Sequence, residues 1–382
     1  MSFSVSAQKI GDGNYSNLNS VYSGSAVLAD LDNDNDLDLV QGGIQGPEEI
    51  SWLEGYHYPK AKVFFNDGKG SFTDSGQFLG TSTIWPTTGD IDSDNDIDVV
   101  TGSLGGKSMK VYFNNGKGIF SDSEQELGDY VTFLPKLADM DNDGDLDLYV
   151  AVWPFIVPQS RLFLNDGKGI FTESTGSGLN IPGWGSLSAA VFDVDNDNDI
   201  DIVESAWDGI TMHVRVLKNN GQANFAVSQE FHGVGGAIGY SDFDRDNDTD
   251  FHATLLFTND GNGFFTAPIE ENTEYHMYPL YSPYYYLPVA DFNKKNGDDF
   301  MVSTPTLLLN KGNAAFSYCF LPEFVVSDSI AKTGTYFAPN EFADLDNDGD
   351  VDMVGQVYGV NWSSTIPTWF GHIGAAFNNA NK

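Results

Sequence analysis

The sequence predicts an all-β protein, a seven-bladed β-propeller of four-stranded antiparallel blades, on three observations. A nine-residue acidic loop, first met as Asp30-Leu31-Asp32-Asn33-Asp34-Asn35-Asp36-Leu37-Asp38, starts again at Asp90, Asp139, Asp193, Asp242, Asp291 and Asp344. A turn containing Asn or Lys followed by Gly comes after the first six of these loops, and the two ends of the chain read as the halves of one further hairpin. Seven copies spaced 49 to 60 residues apart are an internal repeat, so one array spanning residues 1–382 is expected rather than several domains.

The acidic loop sets the chemistry. Four or five carboxylates within nine residues repel one another unless a cation lies among them, and hard oxygen donors at alternating positions suit Ca2+. In six copies the aspartates fall at position 1 (Asp30, Asp90, Asp139, Asp193, Asp242, Asp344), position 3 (Asp32, Asp92, Asp141, Asp195, Asp244, Asp346) and position 5 (Asp34, Asp94, Asp143, Asp197, Asp246, Asp348). They continue at position 7 (Asp36, Asp96, Asp145, Asp199, Asp248, Asp350) and position 9 (Asp38, Asp98, Asp147, Asp201, Asp250, Asp352). Side chains at positions 1, 3, 5 and 9 and the carbonyl of position 7 would hold the ion. Position 6 must turn sharply, which suits Gly144 and Gly349 and, elsewhere, Asn35, Asn95, Asn198 and Asn247. An EF-hand would need Glu at position 12, where only Glu204 could serve, and the loops are followed by short apolar runs such as Leu148-Tyr149-Val150 that read as strands.

The remaining strands follow from the second repeat. Phe65-Asn66-Asp67-Gly68, Phe113-Asn114-Asn115-Gly116 and Leu164-Asn165-Asp166-Gly167 are hairpin signals, with weaker copies at Asn219, Asn259 and Asn310. Each unit therefore reads as strand A, acidic loop, strand B, variable loop, strand C, hairpin, strand D, variable loop. Only nine positions separate Asp250 from Asn259, so the B–C turn of the fifth unit must be tight. Phe377-Asn378-Asn379 begins a hairpin that lacks its second half, and residues 1–11 resemble that half, so the first strand of the chain is expected to complete the last blade.

The loop Asp-x-Asp-x-Asp-Gly/Asn-Asp-x-Asp followed by an apolar strand resembles the VCBS and FG-GAP repeats of integrin-α-like propellers, and the resemblance covers essentially the whole chain. It implies calcium ligands at positions 1, 3, 5 and 9 and so about six structural Ca2+ ions. The family includes adhesion ectodomains, lectins and propellers attached to polysaccharide-degrading enzymes, so it leaves function open. The sixth copy, Asp291-Phe292-Asn293-Lys294-Lys295-Asn296-Gly297-Asp298-Asp299, departs from the pattern. Lys295 at position 5 is expected to pair with Asp291 and Asp299 in place of a metal.

Composition narrows the partners. A net charge of −37 opposes binding to nucleic acid and to anionic membranes, and no apolar run is long enough to span a bilayer. The single cysteine, Cys319, excludes an internal disulfide framework. Residues 1–13 lack the apolar core of a signal peptide, yet calcium loops of this kind work best where calcium is plentiful, which favours the cell surface or the extracellular space.

The acidic loops and the C–D hairpins should share one face, while the seven tryptophans are expected in the B–C and D–A segments of the other. The longest of those segments carry Trp52, Tyr56 and His57, then Tyr275, His276 and Tyr278, then Trp362 and Trp369. Rigid amphipathic rings beside carboxamides suit stacking on sugar rings, so a glycan or glycoprotein ligand on that face is the leading reading. A protein-binding adhesion scaffold is the alternative. So is a lyase using His276 or a hydrolase using Glu54 and Glu274, although none of Arg161, Arg215 and Arg245 lies in these loops to stabilise a uronate. The six histidines show no metal-ligand spacing along the chain, and His213, His252 and His372 read as structural strand residues.

Overall fold

The computed structural model describes residues 5–9, 25–45, 59–80, 82–83, 85–103, 107–128, 132–152, 160–179, 185–267, 289–303, 306–312, 315–320, 336–361 and 368–378. They form no helix long and apolar enough to cross a membrane, and every regular element among them is a strand. The apolar stretches after each acidic loop are strands because they are short, β-branched or aromatic, and bounded by turn residues.

The strands assemble into antiparallel sheets in which A pairs with B, B with C and C with D, the form of propeller blades. The first sheet is Ala26–Ala29, Asp38–Gln45, Pro59–Phe65 and Thr73–Leu79; the second is Pro86–Gly89, Asp98–Thr101, Lys110–Asn114 and Phe120–Asp122. The third runs Thr132–Ala138, Asp147–Val152, Arg161–Asn165 and Phe171–Glu173; the fourth Gly185–Phe192, Asp201–Trp207, Met212–Lys218 and Ala226–His232. The fifth keeps three strands, Gly239–Ser241, Asp250–His252 and Leu256–Phe257, with a lone Thr258–Thr266 bridge where strand D would pair. Its B–C turn is three residues long, as tight as the spacing requires. The sixth is Val289–Ala290, Asp299–Ser303, Thr306–Asn310 and Phe316–Phe320. The last sheet joins Tyr336–Ala343, Asp352–Asn361 and Thr368–Asn378 to the N-terminal strand Val5–Lys9, which pairs antiparallel with Thr368–Asn378.

The core lies between the sheets. Val40 and Val63 of the first pack with Val99 of the second, Val100 and Val111 with Val150 and Phe163 of the third, and Tyr149 and Leu162 with Ile202 and Leu217 of the fourth. Val203 and Val214 meet Phe251 and Phe257 of the fifth sheet, and Phe243 meets Phe300 of the sixth. Phe292 lies 6.0 Å from Phe342, linking the sixth to the last, whose Val354 packs with Ala26, Leu39 and Phe64 of the first. Each fully buried side chain of this kind contributes roughly 1.5–3 kcal/mol. No sheet could bury both of its faces alone.

The C–D hairpins are present: Asn114 pairs with Phe120 and Asn165 with Phe171, leaving five-residue loops in which only the glycines take positive φ, such as Gly116 at 72° and Gly118 at 64°. One expectation is corrected. Two tryptophans lie on strands rather than in loops, Trp207 at the end of strand B in the fourth sheet and Trp369 in the last sheet opposite Val360.

Candidate metal centre

The acidic loops are built before any ion is considered. In the first, the N–H of Asp34 donates to Asp30 Oδ1 (3.1 Å), that of Asn35 to Asp30 Oδ2 (2.9 Å) and that of Asp36 to Asp34 Oδ1 (3.0 Å). The same three bonds recur around Asp90, Asp139, Asp193, Asp242 and Asp344. Position 6 takes the left-handed conformation that the sequence requires, from 71° at Asn35 to 95° at Gly144. Position 4 does too, at Asn33, Ser93, Asn142, Asn196, Arg245 and Asn347, a second turn not anticipated from the sequence. The Asn, Asp and Ser enrichment of the loop was the signal available for it.

Position 9 carries a structural duty. Asp38 is fully buried, its Oδ2 accepting from Leu31 N–H (3.0 Å) and its Oδ1 from Asn66 N–H (2.8 Å), and Asp98, Asp147, Asp201 and Asp250 repeat this pair. Asp352 Oδ2 likewise accepts from Leu345 N–H. Burial pushes the carboxyls of Asp38, Asp98, Asp201 and Asp250 up to about 7 and that of Asp147 to about 6, with these N–H groups pulling the other way.

Position 3 differs. Oδ1 of Asp32, Asp92, Asp141, Asp195 and Asp244 is buried and meets no hydrogen-bond donor among the described residues. Burial and then the neighbouring carboxylates raise the carboxyls of Asp32, Asp92, Asp141 and Asp244. A donor atom from each of Asp30, Asp32 and Asp38 lies within 4.8 Å of the others, as in Asp90, Asp92 and Asp98, in Asp139, Asp141 and Asp147, and in Asp193, Asp195 and Asp197. A buried carboxylate oxygen that meets no donor among neighbouring carboxylates is costly unless a cation sits between them. An oxygen-only donor set of this kind fits Ca2+. In the fourth loop Lys218 Nζ already reaches Asp195 Oδ2 at 2.7 Å.

The loops are also tied from sheet to sheet. The hairpin asparagine donates through Nδ2 to position 2 of the preceding loop: Asn114 to Leu31 O (2.7 Å), Asn165 to Ile91 O, Asn219 to Met140 O, Asn259 to Val194 O and Asn310 to Phe243 O. Asn66 makes the equivalent bond to Leu345 O (2.9 Å), joining the first sheet to the last. Position 4 reaches the other way, from Asn33 to Asp96 (2.9 Å), from Asn142 to Asp199 (2.6 Å) and from Asn347 to Asp36 (2.9 Å).

In the sixth loop the expected pairing of Lys295 gives way to a different one. Lys295 is exposed and meets Asp291 through its backbone N–H (2.8 Å). Asp299 is satisfied by Asn293 and by Asn310 N–H. The ammonium that forms an ion pair is Lys294 at position 4, which takes the sheet-to-sheet role of the asparagines and reaches Asp350 Oδ1 at 2.7 Å.

Of the aromatic residues expected on the opposite face, Trp52, Tyr56, His57, Tyr275, His276, Tyr278 and Trp362 lie outside the described residues, and of Trp369 only the strand position is described.

Residues 90–150 and 139–204 match the FG-GAP-like repeat family, each span running from one acidic loop to the strand after the next. The chain thus carries FG-GAP-like repeats in a β-propeller-like fold. No curated protein is matched by its sequence. Among solved structures it is similar to BBS1N, crystallised in complex with ARL6DN, at a TM-score of 0.45 and 10% identity over 93% of this chain and 92% of that one. It is also similar to the V. cholerae biofilm matrix protein Bap1, at a TM-score of 0.33 and 10% identity over 98% of this chain and 71% of that one.

Proposed function

We propose that the chain is a calcium-loaded, seven-bladed β-propeller, closed by its N-terminal strand, that serves outside the cell or at its surface as a glycan-recognition module. The observation that carries the metal reading is the buried Oδ1 at position 3, left without a donor in the same place in five loops. Ca2+ would be held by the position 1, 3, 5 and 9 aspartates of the loops starting at 30, 90, 139, 193, 242 and 344, and it would supply the positive charge these carboxylates lack. Its role is structural, and the sixth loop goes without it. Ring closure is supported by the Val5–Lys9 pairing, by the Asn66 to Leu345 bond and by apolar contact between each pair of successive sheets. Calcium binding to the native state alone stabilises by mass action, about 2.7 kcal/mol per site at a hundredfold excess over Kd. A chelator should therefore lower Tm steeply and added Ca2+ should restore it. A Tm indifferent to both would remove the metal reading.

The ligand reading rests on composition. Segments 46–58 and 362–367, which follow strand B of the first and last sheets, hold Trp52, Tyr56, His57 and Trp362, and segment 268–288, which follows the fifth sheet, holds Tyr275, His276 and Tyr278. Such loops on a rigid scaffold are where binding is usually placed. The test is a glycan array probed with calcium-loaded protein, chelated protein and Trp362→Ala. Selective hits lost in the variant support a lectin. A blank from folded protein moves the reading to a protein-binding adhesion scaffold, the second function that FG-GAP-like repeats favour.

A further inference from the structure

Outside the acidic loops, one cluster brings metal-ligating side chains together that are far apart in sequence. His213 on strand C and His232 on strand D of the fourth sheet are direct cross-strand partners, and Glu230, two residues before His232, shares their face. The imidazoles meet edge to face with centroids 4.5 Å apart. His213 Nδ1 and His232 Nδ1 each lie 3.5 Å from Glu230 Oε1, and one donor atom from each residue falls within 4.8 Å of the other two. Donors bound at about 2.1 Å to one tetrahedral ion stand about 3.4 Å apart, so two edges of such a site are already in place.

The second observation is how the His213 ring is held. His213 Nε2 lies 2.9 Å from Asp208 Oδ2, while the N–H groups of Thr211 (2.8 Å) and Ile210 (2.7 Å) donate to Asp208 Oδ1 and hold that carboxyl below the usual carboxylate range. With Asp208 at Nε2, Nδ1 is the ring atom that faces Glu230 Oε1. A carboxylate on the far nitrogen is also how metal-ligating histidines are commonly oriented. Arg215, across the strand from Glu230, is paired with buried Glu204.

We propose that His213, His232 and Glu230 form a site for a divalent transition metal of the zinc class, with Asp208 as the positioning residue for His213. Two imidazoles and one carboxylate suit Zn2+ and do not suit Ca2+, so the site is chemically separate from the acidic loops. It stands at the end of the strands away from those loops, on the side to which the reading above assigns the ligand. The His213 side chain is 4% exposed, Glu230 29% and His232 69%, so the fourth coordination position opens to solvent and would accept water or a carboxylate from a bound partner.

The experiment is calorimetric titration of Zn2+ into the untagged full chain in saturating Ca2+, with Co2+ absorption as the signature of tetrahedral ligation. One tight equivalent is expected in the wild type. It should be lost in His232→Ala and in Glu230→Gln, whose partly exposed positions leave Tm in calcium unchanged, and Asp208→Asn should weaken it by about ten- to a hundredfold. Folded protein that takes up no Zn2+ equivalent, as expected if a proton alone bridges His213 and Glu230, would overturn the site. So would an affinity that His232→Ala leaves unchanged.

Discussion

Within one acidic loop, two aspartates six residues apart do different work. Asp147 accepts the buried N–H groups of Met140 and Asn165, whereas Asp141 offers a buried oxygen that no donor meets. Asp147→Ala should therefore cost about 2–4 kcal/mol even in chelator, because two buried donors lose their acceptor, and more in calcium, of which it is also a proposed ligand. Asp141→Ala should cost stability only when calcium is present and should be neutral or mildly stabilising in chelator, since it relieves like-charge repulsion. Urea unfolding of both variants in the two conditions separates the roles, and an Asp147→Ala variant as harmless in chelator as Asp141→Ala would refute the division. A different residue-scale prediction concerns pH. His252 is buried against the Phe300 ring at 4.4 Å, and burial pushes its imidazole from 6.5 down to about 3. The unfolded chain takes up a proton below 6.5 that the native state refuses, so this contribution is full above pH 6.5 and is lost as pH falls towards 3. Between pH 7 and pH 5 the stability of His252→Leu should gain about 2 kcal/mol on the wild type, and a pH-independent difference would show that His252 does not behave this way. The sequence placed His252 on a strand but could not reveal the Phe300 ring beside it, because that contact joins two sheets.

At the scale of the hairpin, the repeated asparagine is more than a turn former. Asn165 sits at the end of strand C, donates to Leu146 O in its own sheet (3.2 Å) and to Ile91 O in the preceding one (2.8 Å), and is nearly inaccessible to water. The Asn-Gly repeat made the hairpin legible, and the period of the acidic loops made the order of strands legible, because both are local. The carbonyls that Asn165 caps lie 74 and 19 residues away, so the staple could not be read from the chain. The same limit hid the His213–His232 pair, which only strand register brings together. Replacing Asn165 by Ala should leave two buried carbonyls unmet and cost about 2–4 kcal/mol in calcium. Asn165→Asp should not rescue, since a carboxylate cannot donate. A loss under about 1 kcal/mol in chemical denaturation would return the residue to the role of a turn former.

For the whole molecule, the first strands of non-adjacent sheets share one electrostatic environment. Lys136 in the third sheet and Glu341 in the last each follow a bulge containing a proline, Pro135 and Pro339, which re-aims the side chain after it. Burial pushes the Lys136 ammonium down and the Glu341 carboxyl up, and the attraction between them opposes both effects. Glu341 also pushes up the Tyr240 phenol of the fifth sheet, after burial. Both charged residues keep only intermediate exposure. The third and last sheets are four apart in chain order, and the proposed ring is the arrangement that would let them face one another. The proposed ring thus has a test that needs neither calcium nor ligand. Lys136→Met and Glu341→Gln should each destabilise, because each leaves a desolvated charge without its partner. The double variant should lose less than the sum, with a coupling of about 1–3 kcal/mol. Strict additivity across the cycle would mean that the two strands do not face each other, and the closed ring would lose one of its supports.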